Sequence, residues 1–227
     1  KIKKNLTYQS STSDAFMWRT DNNFTTKFKF SDILKLYFKI ENSHVELHFY
    51  SKFNELITIK KIYDLEFSNE VVINKNTLGG IEDYGVFYAY HIYDGNNSQK
   101  FSVNNKCYVG FSKNKEFFSF VHGNTLVRTY DHSTKNQFEI IQTSLIKNNH
   151  YIIQKFFRLN EDNELFFANP SSKLVNFDVN GKNYQLKRGH SKLISINENL
   201  VKIRSNCFYF RPIAFSYDNN FFDVYHC

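Results

Sequence analysis

Apolar and polar side chains alternate along much of this chain with a period of two residues. In residues 44–49 the apolar side chains of Val45, Leu47 and Phe49 alternate with polar ones. The polar residues are His44, Glu46 and His48. Because a β-strand places successive side chains on opposite faces of a sheet, this pattern predicts half-buried strands. Similar stretches recur about every ten residues and are rich in aromatic and β-branched residues, which is typical of an all-β protein.

Residues 34–40 show the same alternation, with Leu34, Leu36, Phe38 and Ile40 on one side, so they are predicted to form a strand. A short helix at residues 31–36 is an alternative, and a second short helix near residues 159–164 is another. No segment carries the sustained apolar stripe at spacings of three and four residues that a longer amphipathic helix needs.

Turn-forming residues separate the strand-like runs. Asp94-Gly95, Gly123 with its neighbours and Asn180-Gly181 each favour a hairpin corner, since glycine and asparagine tolerate positive φ. The clearest hairpin is predicted at residues 179–184. More than a dozen strands exceed what one open sheet normally holds. We therefore predict an antiparallel β-sandwich of jelly-roll or immunoglobulin-like type, either one large sandwich or two in tandem.

The least apolar segment between two strand-like runs lies at residues 129–137. If there are two domains, this segment divides the chain into a β-sandwich at residues 1–130 and a β-rich half at residues 131–227. The β-rich half is otherwise part of the same domain. Aromatic residues make up 18% of the chain, which excludes a disordered protein because such chains lack the groups to build a core. No apolar run approaches the ~18 residues of a membrane-spanning helix.

Several features favour a secreted glycoprotein. The chain begins at Lys1, which is expected if a signal peptide has been removed. Sequons for N-glycosylation begin at Asn5, Asn23 and Asn96. Among the three cysteines, a disulfide between Cys207 and Cys227 would pin the C-terminal tail and contribute about 3 kcal/mol. Three free thiols in a reducing compartment are the alternative.

The most chemically suggestive cluster is His44, Glu46 and His48. On a strand these side chains share one face, and imidazole with carboxylate can hold a zinc ion if another strand adds a ligand. A polar, solvent-facing strand surface is the alternative interpretation. The sequence lacks the CxxC, HExxH, EF-hand and GxSxG motifs and the phosphate-binding glycine loop. No catalytic residue and no cofactor are therefore predicted.

The formal charge of +7 and the paired aromatics suggest a binding surface. Basic residues concentrate in the last fifty residues, and several strands carry Phe or Tyr on both faces, as at Phe166-Phe167. Such strands lie either between two layers or at an interface. We predict a surface made of Tyr88, Tyr90, Lys187, Arg188, Lys202 and Arg204.

These features favour a binding protein that recognises a protein or glycan partner through an aromatic-rich and lysine-rich sheet surface. A polyanion is a further ligand class. Nucleic acid is disfavoured because no RNP-type motif is present. A self-assembling coat, capsid or matrix subunit and a carbohydrate-active enzyme on a sandwich fold are the alternatives. The enzyme requires two carboxylates roughly 5–10 Å apart in a groove. The oligomeric state is left open.

Overall fold

The fold is almost entirely β-structure, with 62% of residues in strands and 5% in helices, so the predicted all-β sandwich class is confirmed. The computed structural model describes residues 9–93, 95, 100–105, 107–113, 117–139, 146–158, 160–169, 171–207, 210–219 and 221–227. Within these ranges the strands form four sheets. The helical elements are α1 (Ile33–Phe38) and a 3₁₀ turn (Asn76–Leu78).

The first half of the chain builds sheets A and B. Sheet A contains β1 (Gln9–Arg19), β3 (Ser43–Ser51), β4 (Leu56–Ile62), β6 (Tyr84–Tyr93), β7 (Phe101–Asn105), β10 (Asn124–Asp131) and β11 (Asn136–Glu139). Their order is β11-β10-β1-β6-β3-β4, and β7 pairs with β1 in parallel. Sheet B contains β2 (Thr25–Phe30), β5 (Asn69–Ile73), β8 (Tyr108–Ser112) and β9 (Ser119–His122), in the order β5-β2-β8-β9.

The second half builds sheets C and D. Sheet C contains β12 (Ile146–Phe156), β14 (Val175–Val179), β15 (Lys182–Leu186) and β17 (Leu200–Cys207), in the order β12-β17-β14-β15. Sheet D contains β13 (Asp162–Ala168), β16 (Ser191–Ile196), β18 (Ile213–Tyr217) and β19 (Phe222–His226), in the order β16-β13-β18-β19. All strand pairs of these two sheets that the structure describes are antiparallel.

Sheet D is a middle layer with apolar side chains on both faces. Leu165 and Phe167 pack into the core shared with sheet C, whereas Phe166 and Ala168 pack into the core shared with sheets A and B. The Phe215 ring lies 5.1 Å from the Phe111 ring of sheet B, centroid to centroid. The strand with Phe166-Phe167 therefore lies between two layers, which is one of the two positions that the sequence allowed.

Strand β1 changes partners along its length. Its first half pairs with β10 and its second half with β6, and the register shifts between Ser13 and Ala15. The bend brings β10 and β11 over the face of β3 and β6 that points away from sheet B. Gln137 of β11 consequently contacts His48 of β3.

The hairpin predicted at residues 179–184 is confirmed. Strands β14 and β15 are joined by the two-residue loop Asn180-Gly181, in which both residues have positive φ, 48° and 84°. This loop geometry matches the twist of the flanking strands, and asparagine and glycine adopt it at low cost.

The predicted strand at residues 34–40 is wrong, because residues 33–38 form helix α1. The Asp32 side chain accepts a hydrogen bond from the Lys35 backbone N–H at 3.0 Å, which caps the first turn. Lys39 closes the helix in the left-handed conformation, with φ of 58°. The short helix expected as an alternative at residues 31–36 lies close to this position. The helix near 159–164 is not formed over residues 162–164, which belong to β13.

The division of the chain at residues 130 and 131 stays a prediction. The boundary falls inside strand β10, which continues to Asp131. Among the described residues, no helix has both the length and the apolar character that crossing a membrane requires.

Candidate functional site

The structure brings His44, Glu46 and His48 together on strand β3, but it buries them. Their exposed fractions are 3%, 9% and 4%. Glu46 is the hub: its Oε2 accepts from His48 Nε2 at 2.8 Å, and its Oε1 lies 3.4 Å from His44 Nε2. Lys61 Nζ on the neighbouring strand β4 lies 2.8 Å from the same Oε1. The interpretation as a solvent-facing strand surface is therefore wrong. Gln137 of β11 and Tyr90 of β6 contact His48, and the Tyr63 ring lies 4.9 Å from the His44 ring.

A directional chain of hydrogen bonds reaches Glu46 from the tyrosines. The hydroxyls of Tyr50 and Tyr90 donate to Gln137 Oε1 at 3.4 and 3.2 Å. Gln137 Nε2 then donates to His48 Nδ1 at 2.8 Å. Since His48 Nδ1 is an acceptor, its Nε2 carries the proton donated to Glu46.

These contacts occupy both carboxylate oxygens of Glu46 and both ring nitrogens of His48, which a metal would need. The hydrogen bond from His48, followed by those from Lys61 and His44, outweighs burial and lowers the pKa of Glu46 to about 2. Within the described ranges, no group of three or more His, Cys, Asp or Glu side chains could hold a metal ion. The geometry gives the predicted metal site no support.

Tyr88 and Tyr90 lie on β6 and are not part of an exposed surface. Both are almost fully buried, with exposed fractions of 2% and 0%, and burial raises the pKa of each. The guanidinium of Arg128 on β10 lies 4.4 Å above the Tyr88 ring. Their placement in the predicted binding surface is wrong, because the bend in β1 brings a polar layer over β6.

Arg188 belongs to the edge of the same network. Its Nε and Nη2 donate to the two carboxylate oxygens of Glu139, both at 2.7 Å. Arg128 lies 3.7 Å from the same carboxylate. Arg188 is therefore exposed but already paired, whereas Lys187 beside it is exposed in the loop between β15 and β16.

Lys202 and Arg204 lie on a different surface, the outer face of sheet C. We define this face by the side chains of sheet C that point away from the core: Ile152, Gln154 and Phe156 on β12, Leu200, Lys202, Arg204 and Asn206 on β17, Asn176 and Asp178 on β14, and Asn183 and Gln185 on β15. Alternate residues of β17, including Val201 and Ile203, point inward and are buried. The strict alternation of β14 and β17 thus produces one apolar and one mainly polar face.

A shallow depression of about 290 Å³ lies in this outer face. Its side walls are the planar polar groups of Asn176, Asp178, Asn183, Gln185, Arg204 and Asn206. It forms where β14 and β17 separate, and there the Asn176 backbone N–H donates to the Asn206 side-chain oxygen at 3.0 Å. Arg204 is exposed and Lys202 is half-buried. Asp178 stands opposite Arg204 in the strand register and lines the same depression.

The predicted disulfide between Cys207 and Cys227 is absent, and all three cysteines, each within the described part of the chain, are free thiols. The tail is held by strand pairing instead: β19 pairs with β18, and the Cys227 N–H donates to the Pro212 carbonyl at 3.0 Å. Burial raises the pKa of Cys227 to about 11, so its thiol stays protonated at neutral pH.

Of the three predicted glycosylation sites, only Asn23 lies within the described residues. Its side chain is exposed in the turn between β1 and β2, at a φ of 62°. Asn5 and Asn96 lie outside the described residues. All three stay predictions.

Sequence reasoning missed a second polar site, at the junction of the two halves. Arg19 at the end of β1 is fully buried, and its Nη1 donates to Glu164 Oε2 on β13 at 2.6 Å. The Tyr217 hydroxyl donates to the same oxygen at 3.0 Å. The only signal in the sequence was a charged residue directly beside an apolar run, at Arg19 after Trp18 and at Glu164 before Leu165. Neither residue indicates its partner.

Comparisons with known proteins leave the function open. No family model matches this chain, and no curated protein matches it significantly. A solved structure described as an anti-sigma factor domain-containing protein is 9% identical, and the match covers 91% of this chain and 78% of that chain. Its TM-score is 0.21, so the likeness carries no argument about fold or function.

Proposed function

We propose that this protein is a binding protein that recognises an acidic glycan on the outer face of sheet C. The observation that carries the proposal is the pair of cations on β17, the half-buried Lys202 and the exposed Arg204, at a depression lined by amides, Arg204 and Asp178. Planar amide and guanidinium groups pair well with the neighbouring hydroxyls and carboxylates of sugars.

The chemical character of the outer face changes from one strand to the next. Ile152, Phe156 and Leu200 expose 57%, 69% and 41% of their surface at the β12 side. The cations Lys202 and Arg204 follow on β17. The amides of Asn176, Asn183 and Gln185 follow on β14 and β15, together with the carboxylate of Asp178, which stands opposite Arg204. An acidic sugar has matching parts, since its ring offers an apolar face, its carboxylate or sulfate a charge, and its hydroxyls hydrogen bonds. Aromatic rings commonly provide the apolar contact in such sites.

The proposal is tested by calorimetric titration with a heparin hexasaccharide and a hyaluronan hexasaccharide. We expect saturable binding of at least one of them, weakened at least about tenfold by combined Lys202→Ala and Arg204→Ala, because two charge-assisted contacts are lost. Phe156→Ala should weaken binding about threefold through the lost apolar contact. Raising the salt concentration should weaken binding as well.

Lys173→Ala is the matched control, since Lys173 is an exposed lysine of the same half outside the depression. It should leave the affinity unchanged. Equal binding by the double variant and the native protein would overturn the proposal. So would single-stranded DNA that binds more tightly than either hexasaccharide, since that result would favour a nucleic-acid ligand.

Self-assembly is the second candidate, and strand β4 is the observation that favours it. It is the last strand of sheet A, and it exposes 53% of Leu56 and 41% of Ile59. An exposed apolar edge strand can pair with the same strand of a second copy. Light scattering should then give a dimer that Ile59→Lys dissociates, and a monomer at high concentration would exclude this function.

A further inference from the structure

A pocket of about 520 Å³, which we call the junction pocket, lies between sheet D and the first half of the chain. It is on the face of sheet D that carries Glu164. Its floor follows the strand register, in which Glu164 stands opposite Ser195 and Phe215, and Asp162 stands opposite Tyr217. The opposite wall is formed by Asn22 and Asn23 in the β1–β2 turn and by Lys113 after β8.

The carboxylate of Glu164 is held in one orientation from below. Its Oε2 accepts hydrogen bonds from both Arg19 and Tyr217. Its other oxygen, Oε1, accepts no hydrogen bond from the residues that the structure describes. One oxygen is thus anchored in the protein, and the other is left for a donor in the pocket.

The ion pair that anchors Glu164 is buried, and burying charges costs free energy. The Arg19 guanidinium is fully buried, lies 3.8 Å above the Phe24 ring and also binds Asp21 through Nε at 2.8 Å. Burial lowers the pKa of Arg19, but its hydrogen bonds to Asp21 and Glu164 outweigh this effect and raise it. Buried ion pairs often add little net stability compared with apolar residues of similar size. What this one provides is a carboxylate held in one orientation at the pocket floor.

The charge of the lining is opposite to that of the whole protein. Asp162 and Glu164 project from the same face of β13, because they are two residues apart on one strand. Glu161 also lines the pocket and pairs with Arg158 at 3.4 Å. Lys113 is the one cation among the described lining residues. A net negative pocket in a protein of charge +7 selects for a cationic group.

Lys113 itself marks where such a group would sit. Its Nζ lies 4.1 Å from the centroid of the Tyr217 ring, whose hydroxyl binds Glu164. An aromatic ring attracts an ammonium placed above its face. The ammonium of Lys113 occupies this position in the protein.

We propose that the junction pocket binds an amino sugar with a free ammonium group, which displaces Lys113 from the Tyr217 ring. The ammonium donates to Glu164 and Asp162. The sugar hydroxyls pair with the amides of Asn22, Asn23 and Asn197 and with the hydroxyl of Ser195, which also line the pocket. This site is separate from the outer face of sheet C, so it does not depend on the proposed function.

Calorimetric titration of the full chain with glucosamine tests this site, with N-acetylglucosamine as the neutral matched probe. We expect glucosamine to bind at least about tenfold more tightly than the neutral probe, because only glucosamine carries the charge. Asp162→Asn should weaken glucosamine binding about threefold or more. Lys113→Ala should strengthen it about threefold, since the competing tethered ammonium is removed.

The variants separate binding from folding. Glu164→Gln leaves Arg19 with one fewer charged partner and can unfold the protein, whereas Asp162 and Lys113 lie at the surface of the pocket and spare the buried ion pair. The variant pair Lys202→Ala and Arg204→Ala should leave glucosamine binding unchanged. The proposal would be overturned if the two sugars bound equally. It would also be overturned if neither the native protein nor the Lys113→Ala variant bound glucosamine saturably.

Discussion

Replacing Arg19 by methionine is expected to lower the free energy of unfolding by about 3 to 5 kcal/mol. The substitution removes the cation that pairs with both Glu164 and Asp21, and Glu164 is only 9% exposed. A buried charge without a partner is among the most costly defects in a protein. For a chain of this size the melting temperature should fall by about 10 °C. Urea and thermal unfolding followed by circular dichroism measure both quantities.

Two further variants check the cause. Arg158→Met removes a guanidinium that is 76% exposed and pairs with Glu161 at the surface, so it should change stability by less than about 0.5 kcal/mol. Adding Glu164→Gln to Arg19→Met should recover part of the loss, because the buried carboxylate is then neutral. A loss below about 1 kcal/mol for Arg19→Met alone would contradict the assignment of a buried ion pair.

Replacing Glu46 by glutamine is expected to cost about 2 to 3 kcal/mol at pH 7 and almost nothing near pH 2. Hydrogen bonds from His48, Lys61 and His44 lower the pKa of this carboxyl from its ordinary 4.5 to about 2 in the folded protein. A lowered folded-state pKa stabilises the protein above pH 4.5, and the stabilisation is lost as the pH falls toward 2. Urea unfolding of both proteins at pH 7, 5, 4 and 3 gives the difference.

Glu41 supplies the comparison for this pH dependence. It is 75% exposed, and its nearest cation is Lys35 at 3.9 Å, so Glu41→Gln should change stability little at any pH. A stability difference between the native protein and the Glu46→Gln variant that stays constant from pH 7 to pH 3 would show that Glu46 carries no shifted pKa.

Local signals in the sequence predicted the local structure well. Alternation placed Val45, Leu47 and Phe49 in the core, and the Asn180-Gly181 pair fixed a hairpin, because both features act within a few residues. The same alternation failed at residues 34–40, where the Asp32 cap and the left-handed Lys39 stabilise a helix instead. Short-range capping contacts there prevailed over a weak strand pattern.

The candidate sites were harder to predict because their contacts are far apart in the sequence. Alternation correctly grouped His44, Glu46 and His48 on one face, but it contains no information about a further layer above that face. Arg188 pairs with Glu139, which is 49 residues away in the sequence, and Arg19 pairs with Glu164, which is 145 residues away. The shared face of Lys202 and Arg204 followed from the sequence without a distant partner, because residues two apart on one strand point to the same side.

The hydrogen bonds that run from Tyr50 and Tyr90 through Gln137 to His48 fix the orientation of one side-chain amide. Gln137 accepts from both phenols through Oε1 and donates to His48 through Nε2, so the two ends of its amide are not interchangeable. A flipped amide would turn its N–H groups toward two phenols that donate, and its oxygen toward the lone pair of His48 Nδ1. Only one of the two amide orientations therefore ties strand β11 to strand β3.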